Sequence, residues 1–189
     1  MTRFGLICQS LTVAWAVMAL HSVAAGGQVM NGHIPAVHAP SFSNETVTLP
    51  EGLKGRVGVL VLGFSRGSSE NSTAWGKRLS ADYRESPTVI YYEMPVLAAV
   101  PKMIRGFVIN QIKSSVSEQE RPRFVVLLEN EAAWQTLVGY RNANDSYVVV
   151  VDDQGVVRWQ THGAPTDAAY GAMKQQVEAL RAGMGQGAR

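Results

Sequence analysis

The sequence predicts an α/β fold in which a central mixed sheet is flanked by helices. Three observations carry that prediction. The apolar run Val57–Phe64 ends in a Gly/Ser-rich loop and is followed at once by a helical pattern. A buried strand feeding a loop at its carboxyl end is the unit from which open α/β sheets are built. Strand-like and helix-like stretches then alternate in the order β-α-β-α-β-α-β-β-α, which implies parallel crossovers, an antiparallel hairpin and a closing helix. Asp153-Gln154-Gly155, set between two apolar runs, marks the hairpin, with Gly155 supplying the positive φ of its turn.

In chain order, Arg3 followed by the uncharged apolar stretch Phe4–Leu20 and the small residues Val23-Ala24-Ala25 reads as a signal peptide over residues 1–25. An uncleaved membrane anchor is the alternative, although the run is slightly short for a span. Residues 26–45, with Gly26, Gly27, Gly32, Pro35 and Pro40, read as a flexible linker. The folded domain is expected over 46–182. Thr46–Gly55 gives an extended lead-in and a turn. After the loop, Trp75, Leu79 and Tyr83 recur at i, i+4, i+8, one face of a helix.

Thr88–Glu93 is a second strand and Arg123–Glu129 a third, followed by a short helix carrying Trp134 and Leu137. Ser146–Asp152 and Val156–Gln160 form the hairpin. Thr166 is placed to cap a final helix with the stripe Ala169, Met173, Val177 and Leu180. The Gly-rich positions 183–189 read as a disordered tail.

Composition excludes several functions. The chain of 189 residues has one cysteine, Cys8, inside the expected signal peptide. No Cys-x-x-Cys pair exists, and a cleaved chain has no thiol for disulfide exchange or thiolate metal sites. The net charge of +2 gives no basic surface for nucleic acid. His33 and His38 lack a partner cysteine or nearby acid, so no metal site is expected. No cofactor is expected either.

Counting forward from Phe64, Ser69 and Ser72 stand where thioredoxin-like proteins carry their two redox cysteines. Ser146 and Tyr147 stand where that fold normally has a proline before its penultimate strand. More narrowly, the chain from about 46 to 180 resembles the thioredoxin-like family of the mitochondrial ATP-synthase assembly factor that acts on the membrane sector, and its bacterial relatives. Leu62-Gly-Phe-Ser-Arg66, Val100-Pro-Lys-Met-Ile-Arg-Gly-Phe107 and Tyr147 through Gly155-Val-Val-Arg-Trp159 to Gly163 carry the resemblance. It implies a redox-silent thioredoxin fold that serves as a chaperone or assembly factor for a membrane complex, with the ATP-synthase membrane sector as partner. No catalytic residues are carried over.

Two function classes follow. As a binding module at the outer face of a membrane, the chain would use Arg66, Lys102, Met103, Ile104, Arg105, Phe107 and His162. The segment 94–117 carries Lys102, Arg105 and Lys113 and no acid, and Met103, Ile104, Phe107, Val108 and Ile112 stand at helical spacing. That stripe fits a core-facing crossover helix, or a surface for an anionic membrane or a hydrophobic partner. As an exported enzyme, the chain would instead work through the loop Arg66–Ser72 with His162. That reading lacks a Gly-x-Ser-x-Gly elbow, and the acids Asp152 and Asp153 lie at the other end of the hairpin strands. Ser69 and Ser72 are otherwise expected to cap the helix that follows them.

Overall fold

The structure, a computed structural model, describes residues 32–186. The expected signal peptide with Cys8, positions 26–31 and positions 187–189 lie outside the described residues. Two short strands, β1 (Val37–Pro40) and β2 (Thr46–Leu49), precede β3 (Val57–Gly63) and α1 (Ser69–Tyr83). β4 (Val89–Pro95), α2 (Lys102–Ser115) and α3 (Glu131–Leu137) follow, then β5 (Ser146–Val151), β6 (Val157–His162) and α4 (Asp167–Gln186).

The main sheet has the order β4-β3-β5-β6, with β3 parallel to β4 and antiparallel to β5. The strand period of two explains why β3 is apolar throughout, because both of its faces are covered. Val57, Val59 and Val61 pack with Trp75, Leu79 and Tyr83 of α1 and Tyr170, Met173 and Val177 of α4. Leu60 and Leu62 face the other way, into a cluster with Trp134 of α3, Leu53, and Val37, Val47 and Leu49 of the β1–β2 hairpin. The mixed sheet between helices predicted from the sequence is the observed architecture. Thr166 caps α4 as expected, its hydroxyl accepting from the Ala169 N–H at 3.2 Å.

Three boundaries differ from the sequence reading. Residues 32–45 of the linker expected over 26–45 are ordered. Ile34, Val37 and Phe42 are each only 5% exposed, the Ile34 N–H donates to the Gly155 carbonyl at 3.0 Å, and β1 pairs with β2 from Val37↔Leu49 to Pro40↔Thr46. The Gly/Pro content suggests a tether, but Ile34 and Val37 join the core cluster on one sheet face and Phe42 packs with Val116 and Val126.

The strand expected over 123–129 is reduced to isolated parallel bridges on the free edge of β4, Phe124 with Glu93 and Leu127 with Val96. A turn at Arg121–Arg123, containing Pro122, lets the chain reach that edge only from Phe124 onward. Of the tail expected over 183–189, residues 183–186 belong instead to α4, which runs to Gln186 and whose Met184 continues its stripe onto the core.

Gly155 joins the hairpin to the rest of the fold. It holds φ at +78°, and a Cβ there would lie 2.5 Å from Pro50 Cβ and 3.2 Å from Ile34 Cγ1. An alanine would meet both the left-handed penalty and the stiff Pro50 ring. Gly155→Ala is therefore expected to lower unfolding stability by about 2 kcal/mol, read from urea melts. A loss within experimental error would show that the β1–β2 hairpin does not press on this turn.

Candidate functional site

The carboxyl ends of β3 and β4 form one rim of the sheet. The loop leaving β3 closes on itself. Ser65 Oγ accepts from the Gly67 N–H at 3.0 Å and donates to the Ala143 carbonyl at 2.7 Å. The Ser68 N–H donates to the Ser65 carbonyl and the Ser69 N–H to that of Arg66. With these three N–H groups engaged, the loop offers no backbone cradle to an anion beside Arg66, whose side chain is exposed.

Ser69 is exposed, and Ser72 bonds Ser146 Oγ at 2.7 Å. Ser146 Oγ in turn donates to the Ser68 carbonyl at 3.0 Å, so the Ser72 hydroxyl supplies the proton between the two serines. The expectation that Ser69 and Ser72 cap α1 is corrected accordingly: Ser65 caps the short turn before α1, and Ser72 ties α1 to β5. Ser72→Ala should lower stability by about 1 kcal/mol by leaving the buried Ser146 acceptor unmet, whereas Ser69→Ala should change it little. Thermal melts of the two variants check this. Equal losses would contradict it.

His162 ends β6 opposite Tyr147 of β5. Its Nδ1 lies 2.8 Å from Asp145 Oδ2. The acid beside this histidine is thus Asp145, not Asp152 or Asp153. Asp152 is buried at the far end of the hairpin, where its Oδ1 accepts from the N–H groups of Gln154 and Val156 and its Oδ2 accepts from Arg158. Among the described residues no hydrogen bond joins His162 to a serine. A serine nucleophile needs a base in hydrogen-bond reach, and here Ser72 is paired with Ser146 while neither Ser69 nor Ser72 bonds His162. Sequence reasoning missed Asp145 because strand ends meet through pairing, not through proximity along the chain.

It also missed the aromatic packing behind the rim. The Phe64 ring stands edge-on to Tyr140 and Tyr147, at 5.0 and 5.7 Å between centroids. Tyr147 Oη accepts from the N–H groups of Arg141 and Asn142, fastening the loop before β5.

Among the described residues the most exposed apolar surface belongs to α2, which contains no buried residue. Val108, Ile109 and Ile112 are half-buried, whereas Met103 is 98% exposed, Phe107 72% and Ile104 52%. The core-facing expectation therefore holds only for the inner side of the helix. Its outer side at Met103, Ile104 and Phe107 is bare, because these residues fall on the opposite azimuth from Ile109 and Ile112. Lys102 is exposed beside them. Arg105, expected on the binding surface, is turned inward: its guanidinium donates to the carbonyls of Ala98 and Val100, each at 2.9 Å, and pins the loop between β4 and α2. Leu128, at the edge beside this loop, is the fourth large apolar residue exposed among the described residues.

Two further features lie outside the sequence-derived set. Glu93 of β4 is 6% exposed beneath α1, where Gly76 leaves room for its carboxyl. Its side chain makes no hydrogen bond among the described residues. Burial, and secondarily the Glu120 carboxylate, push its pKa up to about 8. Near the other end of the sheet a cleft of about 690 Å³ is lined by Arg56, Arg84, Arg123, Tyr92 and neighbouring residues. Its arginines are already engaged. Arg56 donates to the Gly52 carbonyl, Arg84 pairs with Glu120, and Arg123 donates to the Arg84 carbonyl and covers the Tyr91 ring.

A four-stranded mixed sheet between helices, with serines at the redox-loop positions, defines a thioredoxin-like protein without the redox pair. Solved structures agree on the fold. The thioredoxin domain of a thiol-disulfide oxidoreductase from Bacteroides vulgatus matches with a TM-score of 0.51 at 16% identity, covering 81% of this chain and 98% of that one. A candidate DsbE-type thiol:disulfide interchange protein from Chlorobium tepidum matches with a TM-score of 0.55 at 18% identity, covering 80% and 97%. The exposed lipoprotein thioredoxin Etrx1 of Streptococcus pneumoniae matches with a TM-score of 0.54 at 11% identity, covering 77% and 100%.

At these identities the likeness shows the fold alone. No curated protein sequence matches the chain significantly. The family model described as "ATP10 protein" matches residues 32–180. The chain belongs to the ATP10 protein family, which is linked to assembly of ATP synthase. The match begins at residue 32, where the described residues begin, and so includes a stretch whose composition alone suggests a linker.

Proposed function

We propose that this protein is a non-enzymatic assembly factor that works at a membrane and holds subunits of the ATP-synthase membrane sector while they are put together. One observation carries the reading beyond family membership: the bare apolar face of α2 at Met103, Ile104 and Phe107. Monomeric proteins rarely leave large apolar side chains clustered on one element without a binding role. The rim supports a binding role over an enzymatic one, since Ser72 is tied to Ser146 and, among the described residues, no serine is hydrogen-bonded to His162.

Export to the extracytoplasmic side, with the domain released or tethered, is part of the proposal. It rests on Arg3, the apolar stretch Phe4–Leu20 and the exit Val23-Ala24-Ala25. Among the described residues no helix is long and apolar enough to cross a membrane, so membrane contact by this part of the chain would be peripheral.

The test is capture of the tagged full chain from detergent-solubilised host membranes after crosslinking in cells. Enrichment of membrane-sector subunits is expected. Recovery of nothing above background would overturn the proposal.

A further inference from the structure

The bare face of α2 has a shape and charge that select its occupant. We propose that the first two turns of α2 dock on an anionic lipid bilayer, with Met103, Ile104 and Phe107 entering its acyl boundary. This rests on the assembly reading and names what the membrane-facing surface touches.

Three observations favour lipid over a folded protein partner. Met103 is 98% exposed and Phe107 72% exposed, so these side chains stand proud of the surface with no wall beside them. A rigid partner would need a matching pocket for each, whereas a fluid bilayer moulds around protruding residues.

The apolar character also stops after two turns. The same outer azimuth continues as Asn110, Gln111 and Ser114, all exposed. A helix lying along a partner's groove would stay apolar along its length, as groove-bound helices do with anchors at i, i+3, i+4 and i+7. A helix entering a bilayer obliquely by its amino-terminal end need not.

The third observation is charge. Residues 94–117 hold Lys102, Arg105 and Lys113 and no acid. Lys102 is exposed beside Met103 at the amino-terminal end of the helix, where headgroup phosphates would meet it, whereas Lys113 is half-buried with its ammonium over the Phe42 ring on the inner side. Among the described residues Glu131, whose Oε2 accepts from the Ala99 N–H at 2.9 Å, is the one carboxylate hydrogen-bonded to this segment, and its contact is with the loop before the helix. Basic flanks beside apolar insertions give affinity for anionic over zwitterionic lipid.

The test uses spin labels in the full chain. Cys8 is the only cysteine, so Cys8→Ser gives a clean background for Met103→Cys, Phe107→Cys, Ser114→Cys and, as a control on α4, Gln175→Cys. Each labelled chain is mixed with vesicles of phosphatidylcholine alone or with about one third phosphatidylglycerol, the anionic content being chosen to give a strong surface potential. A label reports its own surroundings, so binding through the apolar stretch Phe4–Leu20 does not confound the result.

The expected outcome on anionic vesicles is a graded one. Labels at 103 and 107 lose collisions with an aqueous nickel reagent and gain them with oxygen, the label at 114 stays near the surface, and that at 175 stays in water. Labels at 103 and 107 that remain in water would overturn the proposal. So would equal insertion into both lipids, which would remove the charge argument, or shielding that appears only when host membrane proteins are added, which would assign the face to a protein. Because the vesicles contain no protein, failure here leaves the capture of membrane-sector subunits as an independent test of the assembly reading.

Discussion

Replacing Glu93 by glutamine should stabilise the protein at pH 8 by about 4 kcal/mol relative to its effect at acid pH. The carboxyl lies beneath α1 without a side-chain hydrogen bond, and its pKa rises from an ordinary 4.5 to about 8. The sign follows from proton counting. Between pH 4.5 and 8 the folded state keeps a proton that the unfolded state has released, so stability falls as pH rises through that window and levels off above it. Glutamine has nearly the same shape and no proton to lose, so the variant should lack this component of the pH dependence. Urea unfolding at pH 5, 6.5 and 8 measures it. A gain for Glu93→Gln that grows with pH is the expected result. A gain equal at every pH would mean that the carboxyl is not held neutral in the fold, and a loss at pH 8 would mean that it has an ionic role.

Ile104→Asp with Phe107→Asp should abolish capture of the membrane partner and leave folding stability within about 0.5 kcal/mol of the parent. Both side chains are more than half exposed, so the change removes apolar contact surface and adds charge without touching the core. Charged residues on such a face oppose both insertion into acyl chains and approach to an anionic headgroup layer. Ser69→Ala with Ser72→Ala is the opposite case. It removes the hydroxyls that an enzyme of this loop would need and leaves the α2 face intact, so partner capture should persist. If the serine pair abolished function and the α2 pair did not, the non-enzymatic reading would fall.

Much of this architecture is readable from periodicity. The doubly apolar run at 57–63, the helix stripe at Trp75, Leu79 and Tyr83, and the turn at Gly155 each signal their element through local chemistry, and each occupies the expected place. Ile34, Val37 and Phe42 stay hidden because their burial depends on a sheet-face cluster and, for Phe42, on Val116 and Val126, none of which composition reveals.

The site is legible in part. Positions Ser69 and Ser72 are located by counting, and the α2 stripe by spacing. Spacing alone does not say which side of α2 meets the body of the protein. Nor does it reveal that the Arg105 guanidinium folds back onto Ala98 and Val100, since that depends on the path of the loop before α2. Asp145 beside His162, and Glu93 beneath Gly76, are products of strand pairing and helix placement. No local signal marks either.

The most direct test of the central claim is the amount of fully assembled ATP synthase in membranes of host cells from which this chain has been removed, read by native electrophoresis. Assembled complex is expected to fall, and membrane-sector subunits to accumulate unassembled. The parent chain and the Ser69→Ala/Ser72→Ala chain should restore assembly, and the Ile104→Asp/Phe107→Asp chain should not. Unchanged assembly in the depleted cells, or full restoration by the α2 variant, would contradict an assembly role carried by this face.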